Sequence, residues 1–100
     1  MVKKAVPLSR SAAETLAIQA LSFLAADPDR FGRFLASTGI GPGDIRAAAR
    51  EPLFLAGVLD HLTGNEAVLT AFASDSGTDP AGVLQARDKL AGRIPERDTP

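Results

Sequence analysis

A chain of 100 residues, 45% apolar and 23% charged, has globular proportions and enough length to bury a core without covalent staples. It contains no Cys, which excludes disulfides, thiolate nucleophiles and cysteine-ligated zinc or iron–sulfur sites, and which suits a reducing compartment. A formal net charge of −1 supplies no global attraction to nucleic acid or to an acidic membrane surface.

Residues 1–8 carry two Lys and a Pro ahead of any periodic pattern and read as a flexible N-terminal arm. Met1-Val2-Lys3-Lys4 has the charge of a signal-peptide start, but Pro7, Arg10 and Glu14 interrupt the apolar run such a peptide needs. No apolar run is long enough to span a bilayer, so a cytoplasmic protein without membrane attachment is expected. The first helix is predicted from Ser11 to Ala26, opened by a capping box of Ser11 and Glu14. Thr15, Gln19 and Ser22 form one narrow polar stripe on it, the solvent edge, and the remaining circumference is Ala, Leu, Ile and Phe. Such a helix is buried on most sides and reads as the central post of the domain.

Asp27-Pro28 caps and starts a second helix, on which Phe31, Phe34, Leu35 and Thr38 share one face. Gly39 ends it as the left-handed residue past the last turn. Pro42 opens a third, with Ile40 and Ile45 as a hydrophobic staple, and Glu51-Pro52 stops it near Arg50. A fourth helix, Leu53 to Thr63, turns Leu55, Val58, Leu59 and Leu62 inward and leaves Gly57, Asp60 and His61 on a polar strip. Gly64-Asn65 is a stop and a cap before a fifth, carrying Val68, Leu69 and Phe72 and closed by Gly77. Asp79-Pro80 caps a sixth, with Val83, Ala86 and Leu90 on its inner face. No alternating strand pattern occurs. The reading is one all-α domain over residues 9–94, a compact bundle of five or six short helices, with a flexible, Pro-bounded tail at 95–100.

Shifting the chain by 38 residues places Leu21 on Leu59, Leu24 on Leu62, Phe34 on Phe72, Gly39 on Gly77, Pro42 on Pro80 and Ala48 on Ala86. Asp27/Asn65, Phe31/Leu69 and Ile45/Val83 are conservative pairs at the same offset. The matched positions are caps, stops and core residues, as expected of a duplicated three-helix unit with copies over about 11–50 and 52–92. Two copies are too few to stack as a solenoid, so they should close on each other around a shared core.

Few residues argue for chemistry. The Gly-rich loop Gly39 to Asp44 lacks the preceding strand and glycine spacing of a dinucleotide site and the lysine of a P-loop, and reads as a corner between helices. His61 is the only imidazole, and on its own helix face only Asn65 brings a polar side chain. The serines have no elbow motif, and no D-x-D-x-D-G loop exists for a hard cation. No catalytic residue, cofactor or metal is assigned. Charge patterning says more. Arg30/Arg33 and Arg46/Arg50 are spaced to share helix faces in the first unit, whereas Glu51 to Asp79 holds five acids and no Lys or Arg. These charges are either solvated faces, with some pairing across the two halves, or a bipolar surface for a protein partner or a second copy. Acids interleaved with the arginines, and the lack of spare aromatics for stacking, disfavour nucleic acid.

The segments Ala20-Leu21-Ser22-Phe23-Leu24-Ala25-Ala26-Asp27, Phe34-Leu35-Ala36-Ser37-Thr38-Gly39, Asp44-Ile45-Arg46, Glu51-Pro52-Leu53-Phe54-Leu55-Ala56-Gly57-Val58-Leu59-Asp60 and Gly77-Thr78-Asp79-Pro80 occur in an order and spacing that resembles a family of short bacterial proteins, domain-of-unknown-function family 3572. The resemblance brings no activity to carry over. It singles out Arg46 and Asp60, and Gly43 before Asp44 departs from its pattern, which leaves the start of the third helix open. The expected function is that of a non-enzymatic interaction or adaptor domain using Arg30, Arg33, Arg46 and Arg50 on one side and Asp60 and His61 on the other. The alternative is a small enzyme or ligand-binding regulator with a pocket between the units. A pocket lined by His61 and two convergent carboxylates would favour the latter, and an apolar patch rimmed by arginines the former.

Overall fold

A computed structural model describes residues 9–92, and the expectations for the arm at 1–8 and the tail at 95–100 lie outside the described residues. Within them the chain is all-helical: α1 (Arg10–Ala25), α2 (Pro28–Thr38), α3 (Ile45–Ala48), α4 (Pro52–Thr63), α5 (Glu66–Ser76) and α6 (Pro80–Leu90). A 3₁₀ turn, Pro42–Asp44, leads directly into α3.

Local chemistry sets most of these ends. Asp27 and Asp79 accept hydrogen bonds from the backbone N–H two residues on, and Asn65 accepts from Val68, each satisfying a donor that the first helical turn leaves orphaned. Gly39 and Gly77 take the left-handed conformation, φ 76° and 71°, that lets the chain turn away while their N–H groups close onto Leu35 and Ala73.

Two expectations about helix bounds are corrected. The cap of α1 is Ser9 and not Ser11: Ser9 Oγ accepts from the Ala12 N–H at 3.0 Å, so the helix starts at Arg10 and no capping box forms with Glu14. Nothing between Ser9 and Ser11 breaks a helix, and Arg10 is a good former of one, so the earlier cap wins. The third helix shrinks to the 3₁₀ turn and four residues without a side-chain cap, because Gly43 and Asp44 in its first turn weaken the nucleus.

The core is built from α1, α4 and α6, which pack on one another pairwise. Ala13, Ala17 and Ala20 are fully buried on α1, and beside them lie Leu24, Val58, Leu59, Leu62, Val83 and Ala86, all without exposure. The row of alanines lets neighbouring helix backbones approach closely, as interaxial distance follows side-chain size. α1 is central in that it touches α2, α4, α5 and α6. It is not buried on most sides: Thr15, Gln19 and Ser22 are exposed, and Ile18 beside them is 40% exposed.

The 38-residue offset is present in the element bounds. α2 and α5 coincide end to end under it, and so do the last residues of α1 and α4. It is also present in a pair of cross-contacts. Phe34 of α2 meets the His61 ring of α4 edge-on, with centroids 5.3 Å apart, and Phe72 of α5 meets Phe23 of α1 edge-on at 5.4 Å. Shifted by 38, one contact becomes the other. Each helix pair thus inserts a buried Phe against the other pair's long helix, the reciprocal pattern of a two-fold interface. The offset fails at the third element. α6 is three turns long and packs on both α1 and α4, whereas α3 has no comparable packing there and only Ile45 and Ala49 of its segment reach the core.

Candidate functional site

The six residues singled out by sequence do not converge. Arg30, in the first turn of α2, is half-buried with its guanidinium over the Phe23 ring, 4.8 Å from the centroid, and its Nε 3.8 Å from Asp27 Oδ2. The stacked arginine thereby covers an aromatic face. Arg33, Arg46 and Arg50 are exposed and pair with no acid among the described residues. The acids of the second half do not meet the arginines of the first. Asp60 instead faces Arg87 of α6, whose Nη1 is 3.6 Å from Asp60 Oδ1 and donates to Thr63 Oγ1 at 3.2 Å. The arginines therefore do not pair across the halves among the described residues, and the exposure of Arg33, Arg46 and Arg50 fits solvated faces as well as a docking surface.

His61 sits half-buried beneath α2. Its Nδ1 is 3.5 Å from Ser37 Oγ, and that hydroxyl donates to the Phe34 carbonyl at 3.0 Å, which leaves its oxygen free to accept from an Nδ1–H tautomer. Burial holds the imidazole below its ordinary value, favouring the neutral ring. Among the described residues no carboxylate pairs with it, and no group of three His, Asp or Glu is placed to hold a metal ion. Asn65, its one polar neighbour by sequence, is occupied as the cap of α5. These contacts tie α2 to α4.

Three surface depressions involve other residues. A groove of 660 Å³ runs over α1 between α2 and α5: Ile18, Gln19, Ser22, Phe23 and Ala26 form its floor, with Asp27 and Arg30 on one wall and Asp75 on the other. A hollow of 450 Å³ is formed by Phe31, Pro42, Gly43 and Ile45 and edged by Arg46. A cleft of 210 Å³ lies where Ala56, Gly57 and Asp60 of α4 meet Arg87 and Ala91, beside Leu53, which is 72% exposed. His61 lines none of the three. Phe23, Asp75, Ser37 and Arg87 were not legible as site residues, since each gains its partner through tertiary packing. The one signal for them was the offset itself, which lays His61 on Phe23 and so marks His61 as a ring in a packing position.

Among the described residues no helix is long and apolar enough to cross a membrane. No curated protein and no solved structure shows significant similarity to the chain. The family described as Protein of unknown function (DUF3572) matches residues 10–93, a span that includes all six helices and the three depressions between them, and the chain belongs to that family.

Proposed function

We propose that the chain is a small non-enzymatic protein-interaction domain of the cytoplasm, an adaptor that engages an acidic partner through its arginine-bearing half. The observation that carries this reading is the hollow of Phe31, Pro42 and Ile45, edged by an Arg46 that has no acidic partner among the described residues. An apolar depression beside an uncompensated cation suits a segment that presents an apolar side chain next to a carboxylate. Arg33 and Arg50, equally exposed and without acids, add to the field that would steer such a partner. The 38-residue offset supports reading the chain as two copies of one unit, of which only the first keeps these arginines.

The test is a pull-down with the tagged protein from lysate of its own source cells, at low and at moderate salt. A single stoichiometric partner is expected, weakened by salt and lost when Arg46 and Arg50 are both replaced by Ala. Retention of the partner by that double variant, or capture of nothing but the protein itself, would remove the reading.

A further inference from the structure

The groove over α1 continues as an open track back to the start of the same helix. Ser11, Ala12, Thr15, Ile18, Gln19 and Ser22 recur at spacings of three and four, so they share one face, and all six are exposed. The first three are small, and the one large apolar side chain of the six, Ile18, is 40% exposed. The charge at the groove is uneven as well. Arg30 on one wall is engaged by Asp27 and Phe23, whereas Asp75 on the opposite wall is exposed and pairs with no cation among the described residues.

The residues ahead of Ser9 carry what this face lacks. Met1-Val2-Lys3-Lys4-Ala5-Val6-Pro7-Leu8 holds two cations, no acid and several apolar side chains. Ser9 caps α1, and a proline disfavours helical backbone at the residue before it, so Val6 and Pro7 do not lengthen the helix. The segment also has the reach. Ile18 to Ser22 lie about 14–20 Å from Ser9 along the helix axis. Lys4 and Lys3, extended from Ser9, span about 17–20 Å, which brings them level with Gln19 and Ser22. Alternation in an extended chain puts Val2, Lys4 and Val6 on one side.

We propose that residues 1–8 fold back along α1 and occupy this groove, with Val6 beside Ile18, Val2 beside Ala26, and Lys3 and Lys4 directed to Asp75. Opposite charges meet there at a partly apolar surface, so the seating weakens as salt rises. The groove shares no residue with the Arg46 hollow, and the two surfaces stand or fall separately.

The test uses the full chain, in which the absence of Cys makes an Ala5→Cys thiol unique. A nitroxide on that thiol, on the side turned away from Val2, Lys4 and Val6, broadens the ¹⁵N-amide signals of whatever the segment lies against. Broadening is expected at Gln19, Ser22, Phe23 and Asp75 at low salt. Asp75→Lys, whose exposed side chain has no ion pair to lose among the described residues, should lower the ratio of seated to free segment about fivefold. Adding Lys3→Glu and Lys4→Glu to that variant should restore the seating. Three results would each overturn the proposal. One is broadening confined to residues 9–15, as from a segment that never reaches the groove. Another is full broadening that survives Asp75→Lys. The third is broadening in an unlabelled ¹⁵N chain mixed with spin-labelled ¹⁴N chain, which would make the occupant the same segment of a second copy.

Discussion

The pair α1–α2 and the pair α4–α5 are built alike, and they differ in the segment that succeeds each. Both end their second helix with a left-handed glycine, and both bury a Phe from that helix against a ring on the other pair's long helix. After the second pair the chain forms α6 and closes the face of α4. After the first it forms a 3₁₀ turn and α3, and Ile18 on α1 is 40% exposed where its counterpart Ala56 is 6%. The short segment, with Gly43 in its first turn and no side-chain cap, leaves the first half without a third long helix. The arginines lie in that same half.

The largest expected effect on this comparison comes from the two buried rings. Phe34 and Phe72 are essentially without exposure, so Phe34→Ala and Phe72→Ala should each cost about 3–5 kcal/mol in urea unfolding. A large loss in one and near-native stability in the other would break the equivalence of the pairs. The glycines come second. At φ 76° and 71°, with open space where a Cβ would sit, Gly39→Ala and Gly77→Ala each introduce backbone strain without a clash, an expected loss of about 1 kcal/mol apiece by the same measurement.

The smallest effect sharpens the comparison at the one ring that differs. His61 stands where the other pair has Phe23, and burial lowers its pKa below 6.5. The unfolded chain then binds the proton more tightly than the folded one. The stability gained by keeping the ring neutral is full above 6.5 and is lost as pH falls through 6.5 towards the lowered folded value. Thermal melts of the wild type and of His61→Phe across this window should show the His61-dependent part of the decline in the wild type alone. An identical decline in both would mean that His61 carries none of it.

How much of this was readable from sequence depended on the range of the interaction. Asp27, Gly39, Asn65, Gly77 and Asp79 act on backbone within a few residues, and each was legible as a cap or stop. The inward positions of α4 and α6 came from helical periodicity. Ser9 was missed because two serines competed and Glu14 favoured the wrong one. The contacts Ser37–His61 and Arg87–Thr63 each join residues 24 apart, and only packing brings them together. The exposure of Ile18 was harder still: it stands beside the polar stripe of Thr15, Gln19 and Ser22, and nothing in the pattern separates it from the buried Leu and Ala positions of α1.

The matched architecture is tested most directly by two double-mutant cycles run side by side, one with Phe23→Ala and Phe72→Ala, the other with His61→Ala and Phe34→Ala, each read by equilibrium unfolding. Edge-on ring pairs couple by about 0.5–1.5 kcal/mol, and the two cycles should give couplings of the same sign that agree within about 0.5 kcal/mol. A clear coupling in one cycle and none in the other would contradict the reciprocal seating of the two helix pairs.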